Sequence, residues 1–81
     1  MGYELNEFTT IIMDGSNREV VDRIVDTFQC MVSGDVTCEP LDENHPTMMV
    51  VKAVTTKDTY GVLQWGIAQV FPGLCVFDQA A

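Results

Sequence analysis

Basic residues are scarce in this chain, with 4 Lys and Arg against 12 Asp and Glu among 81 residues and a formal net charge of -8. A surface of that sign is repelled by nucleic acid phosphates and by anionic membranes, so direct binding to either is not expected. Long apolar runs are missing as well: no stretch reaches the roughly 18 residues of a membrane span. Met1 to Phe8, with Glu4 and Glu7, lacks both the basic and the apolar region of a secretory signal. The cysteines, Cys30, Cys38 and Cys75, are odd in number and widely spaced. That argues against a disulfide framework and fits a reducing compartment. The expectation is a complete small cytoplasmic protein, a single domain over residues 1–81.

The residue patterns of catalysis are also lacking. There is no Gly-x-Ser-x-Gly, no His-Glu-x-x-His and no phosphate loop. The lone His45, in a turn before Pro46, has no cysteine pair or carboxylate motif beside it, so no metal site is expected. Cys30, near the core stripe of a helix, and Cys75, in an apolar strand, each read as a small buried hydrophobe rather than a nucleophile or ligand. Asp14-Gly15-Ser16 ahead of a helix offers backbone amides to an anion, or is an ordinary cap and turn. No enzyme and no cofactor are therefore expected.

What is present is a foldable pattern. Hydrophobic residues make up 47% of the chain, which takes it out of the disordered regime. Its size still limits it to burying about 60 to 65% of its unfolded surface. Phe8 to Met13 is β-branched and apolar and predicts a first strand, starting as early as Tyr3. Ser16 and Glu19 match a capping box. After it, Val20, Val21, Ile24, Val25, Phe28, Met31 and Val32 form one helical stripe, with Gly34 as the residue that ends it. Val36 to Pro40 predicts a short strand, Leu41 to Pro46 a turn and Thr47 to Val54 a third strand. Thr59 to Phe71 is helical, with Tyr60, Leu63, Ile67, Val70 and Phe71 on one face. Pro72-Gly73 stops it before a last strand, Leu74 to Phe77.

The order β-α-β-β-α-β predicts an α+β, ferredoxin-like sandwich: a four-stranded antiparallel sheet with two helices on one face. That leaves two surplus apolar surfaces. If Lys52 points away from the helices, period-2 alternation puts Met48, Val50 and Val54 on the open sheet face, as a partner or oligomer contact. The bland alternative is a swapped parity in which Lys52 snorkels. On the second helix, Gly61, Val62, Trp65, Ala68 and Gln69 lie opposite the core stripe, and no charged residue occurs from Thr59 to Phe77. A surface helix normally carries Lys or Glu there. Val62, Trp65 and Gln69 are thus candidate partner contacts, the alternative being that Trp65 folds over the core. Asp35, Glu39, Asp42 and Glu43 cluster around the second strand with no basic residue between Arg23 and Lys52. They either keep an edge strand from aggregating or, through Glu39, Asp42 and Glu43, dock a basic partner.

At the level of architecture this order resembles ACT-type regulatory domains, RNA-recognition domains and heavy-metal carrier domains. The ACT resemblance implies a dimer with a small ligand near Asp14 to Asn17, although Asp14-Gly15-Ser16-Asn17 lacks the Asp-x-Pro-Gly turn of that family. Thr47 to Val54 carries none of the stacking aromatics of RNA-recognition domains. The first turn lacks the cysteine pair of metal carriers.

The expected function is a non-enzymatic protein-binding module. One concrete form is an acidic inhibitor of a nucleic-acid-handling complex, phage-encoded and of the anti-CRISPR type, that occupies grooves meant for phosphates. The alternatives are an ACT-like ligand-binding domain and a structural homo-oligomer, such as a homodimer, pairing through Met48 and Val50.

Overall fold

A computed structural model describes residues 4–77; at His45 and Pro46 it describes the backbone only. The expectations at Tyr3 and at the His45 side chain fall outside the described residues. The elements are β1 (Leu5–Ile12), α1 (Arg18–Met31), β2 (Val36–Asp42), β3 (His45–Thr56), α2 (Lys57–Val70) and β4 (Cys75–Phe77). The four strands form one antiparallel sheet in the order β2-β3-β1-β4. The fold is α+β, and its two helices share one side of that sheet. Phe8 and Ile12 of β1 and Val51 and Ala53 of β3 join Val21, Ile24 and Phe28 of α1 and Tyr60, Leu63 and Ile67 of α2 in one core. Burial of each large apolar side chain there stabilises by roughly 1.5–3 kcal/mol.

The sheet's alternation is set by this core. Val51 and Ala53 are buried under the helices, so Val50, Lys52 and Val54 face the other way. Register carries the parity across the sheet. Val50 lies between Ile11 and Glu39, Lys52 between Thr9 and Thr37, and Ile11 also opposes Val76.

Polar groups inside the core are paired. Thr10 Oγ1 and Tyr60 Oη lie 2.8 Å apart, and the Tyr60 hydroxyl also reaches the Thr9 carbonyl at 3.2 Å. The Tyr60 ring stacks on Phe8 at 4.2 Å between centroids and meets Phe77 edge-on at 6.0 Å. These contacts pin the first turn of α2 to β1 and β4.

Several boundaries differ from the sequence expectation. The capping box does not form: Asn17 is the N-cap of α1 and accepts from the Glu19 and Val20 amides. Ser16 instead donates both its hydroxyl and its amide to Asp14 Oδ1. Helix α1 ends at Met31, with Val32 as a C-cap whose amide donates to Phe28 O, and without a left-handed Gly34. Gly34 is there for space, because a Cβ would come within 2.7 Å of the Val54 carbonyl oxygen. The β2–β3 turn is tighter than Leu41 to Pro46: Asp42 pairs with His45, with Glu43 and Asn44 between them, and a register shift sits between Pro40 and Asp42. Strand β3 runs on to Thr56, whose side chain caps α2 by accepting from the Thr59 amide. Helix α2 therefore starts at Lys57, and Val70 is 64% exposed rather than part of the core. Met31 is exposed as well. Leu74 lies outside β4, in a turn where its amide donates to Phe71 O and Gly73 has φ +76°. Pro before a left-handed glycine is the signature of a type II turn.

Candidate functional site

The outer side of α2 is built by two glycines, a tryptophan and the absence of charge. With Tyr60, Leu63 and Ile67 turned inward, the 100° step of the helix presents Gly61, Val62, Trp65, Ala68 and Gln69 outward, and all five are exposed. Trp65 does not fold back over the core: it is 69% exposed, and Val62 is 54% exposed. The structure thus brings Val62, Trp65 and Gln69 together on one surface.

Beside them runs a feature that the sequence expectation did not include, a cleft between the helices. Its floor is the core pair Ile24 and Ile67, and its walls include Arg23, Gly66, Val70 and Phe71 around about 320 Å³. It continues past Arg23 and Phe71 into a second hollow of about 190 Å³ next to Glu19 and Val20. Gly66 leaves room there, since a Cβ on it would meet no atom within 4 Å. The signal in the sequence is the pair of glycines inside α2, together with Val70, which the helical period alone places on the core stripe.

The other candidates lie elsewhere. Glu39 points from edge strand β2 to the open sheet face, beside Val50. Asp42 ends β2, and exposed Glu43 forms its turn. Glu39 and Trp65 are therefore on opposite sides of the molecule, and the structure does not assemble the acids and the tryptophan into one interface. Met48, Val50 and Val54 do share the open face with Lys52, but they are less exposed than expected. Val50 is 7% exposed, and Met48 and Val54 are half-buried. A depression of about 360 Å³ on that face is lined by Thr9, Ile11, Val76 and Phe77.

The titratable groups are held by local structure. Asp14 is pulled below the usual carboxylate range by the Ser16 hydroxyl and then the Ser16 amide. Burial pushes the Cys75 thiol up to about 11. Burial also raises Cys38, with nearby Arg18 pulling the other way. Cys30 is exposed on α1, not buried as expected, while Cys38 and Cys75 are half-buried, and all three are free thiols. Among the described residues no group of three or more His, Cys, Asp or Glu is placed to hold a metal ion. No helix among them is long and apolar enough to cross a membrane. At the first turn, Asp14, Ser16 and Asn17 spend their side chains on one another and on the cap of α1.

Compared with family models, with curated proteins and with solved structures, the chain matches none.

Proposed function

We propose that this protein is a non-enzymatic protein-binding module on a ferredoxin-like βαββαβ framework, and that it acts by covering a partner's surface with the outer side of α2. The observation that carries this reading is Trp65, 69% exposed on a helix face without charge. Tryptophan is among the residues most enriched where binding energy concentrates. An exposed Trp beside exposed Val62 and Val70 serves no purpose in the core.

The narrower form of the reading is an inhibitor of a nucleic-acid-handling complex, phage-encoded and of the anti-CRISPR type, working in the cytoplasm where its free thiols stay reduced. Its support is the charge of -8, which suits a partner lined with Lys and Arg. Glu39, Asp42 and Glu43 would then act on a second surface, steering the encounter rather than sharing a contact with Trp65. The small-ligand reading at Asp14 to Asn17 gains no support from a turn whose polar side chains bond to one another.

The test is affinity capture with the wild type and Trp65→Ala as parallel baits. One protein recovered by the wild type and lost with Trp65→Ala is the expected result. Equal recovery by both baits, or no specific protein, defeats the reading. For the narrower form, expression in a host with an active CRISPR system should restore plaque formation by a targeted phage. Unchanged interference removes it.

A further inference from the structure

We infer that the cleft between α1 and α2 receives an amphipathic helix of the partner, whose flank carries basic residues two turns apart. This rests on the protein-binding reading and specifies the mode of binding. The cleft is open because Gly66 has no side chain. That glycine is not required by the fold: its φ is not positive, and a Cβ there would touch nothing within 4 Å. Gly61, one turn before Trp65, is equally unconstrained. Glycine inside a helix is destabilising relative to alanine. Two such positions flanking the exposed tryptophan keep the surface low enough for another backbone to approach closely.

The cleft runs between two helices, and its apolar lining is on the α2 side. Over the buried pair Ile24 and Ile67, exposed Val70 and half-buried Phe71 present the apolar surface that side chains at i, i+3 and i+4 of a helix can cover. The charges choose among helices. The α2 wall has none. The α1 wall presents Glu19 and Asp26, two turns or about 10 Å apart, with Arg23 between them. A helix seated in the cleft therefore meets two carboxylates at the spacing of its own i and i+7 positions. Lysine or arginine at those positions complements them, and an acidic residue between the two complements Arg23. A second copy of this chain fits poorly, because its net charge of -8 opposes self-association.

Trp65 is the sole tryptophan and stands one residue before Gly66, so its emission reports on the surface beside the cleft. The probes are two synthetic helices of about 18 residues, long enough to hold helical structure. They share one leucine face; one carries lysines at i and i+7 on its flank and the other glutamates. A third peptide moves the lysines to the opposite side. The expected result is a saturable blue shift of Trp65 with the first peptide only. Gly66→Leu, which fills the cleft, should weaken it at least about tenfold, as should Glu19→Lys combined with Asp26→Lys. Circular dichroism and thermal melting of Gly66→Leu should show a helix no less stable than the wild type. Absence of a shift, or binding untouched by Gly66→Leu, overturns the inference, as does a concentration-dependent shift of the protein alone that sediments as a dimer. A captured partner that needs Trp65 but ignores Gly66→Leu overturns the cleft mode and leaves the protein-binding reading standing.

Discussion

The two helices do the same work on their inner sides and different work on their outer sides. Each buries three residues at helical spacing, Val21, Ile24 and Phe28 on α1 and Tyr60, Leu63 and Ile67 on α2. Each is capped by a polar side chain, Asn17 or Thr56. Outward, α1 carries Arg18, Glu19, Asp22, Arg23 and Asp26, the ordinary surface of a soluble helix. Helix α2 carries no charge after Asp58 and exposes Val62, Trp65 and Val70. The sheet is satisfied by either kind of helix, so folding does not require this difference. It is the difference on which the proposed contact rests.

The comparison can be broken first at the core, where the helices are held to be equivalent. Phe28→Ala on α1 should cost about 3–5 kcal/mol, and Leu63→Ala on α2 about 2–5 kcal/mol. Denaturant titration checks both, and a near-neutral result for either helix would mean that it is not part of the common core. Next is the polar anchor that belongs to α2 alone. Tyr60→Phe keeps the stacked ring but leaves the buried Thr10 hydroxyl without its 2.8 Å partner. A loss of about 1–3 kcal/mol is expected in the same titration. If Tyr60→Phe is as stable as wild type, the tyrosine contributes only as a ring.

Smaller in size but opposite in sign are the glycines. Gly61→Ala and Gly66→Ala should each raise stability by about 0.5–1 kcal/mol, because neither site has a steric or backbone reason for glycine. Destabilisation at either position would give that glycine a structural role and remove it from the functional account. The smallest effect is at the turn before α1. The folded-state pKa of Asp14 is lowered by its bonds from Ser16. Its contribution is therefore present above the ordinary carboxylate value of 3.8 and is lost as the pH falls through the lower folded value. Asp14 is fully exposed, so the change should be slight. Thermal melts from neutral to acid pH should show it in wild type and less of it in Ser16→Ala, which keeps only the amide bond.

Much of this was legible in the sequence, and the misses have definite causes. Helix α1 was clear because its apolar residues keep one period over three turns. The parity of β3 followed from Lys52, since a lone ammonium group avoids the core. The start of α2 was obscured because Thr55, Thr56 and Lys57 are polar and in part β-branched; they are the end of a strand, a cap and a first turn. Gly34 carried no readable signal, because its role is an approach to Val54 across the fold. Val70 continues the α2 stripe on paper, but at the helix end it turns into the cleft instead. The separation of Glu39 from Trp65 was partly readable. Val36 and Cys38 alternate with Thr37 and Glu39, and only the pairing with β3 shows which set faces the helices.

The central claim is that α2, and not the acidic edge, makes the contact. The affinity of the captured partner for Trp65→Ala, set beside that for Glu39→Lys/Asp42→Lys/Glu43→Lys, tests it most directly. Titration calorimetry should show a loss of roughly 30-fold or more for Trp65→Ala. The triple charge reversal should slow association in a salt-dependent way and leave dissociation nearly unchanged. Full affinity with Trp65→Ala, alongside fast dissociation of the triple variant, would contradict the account.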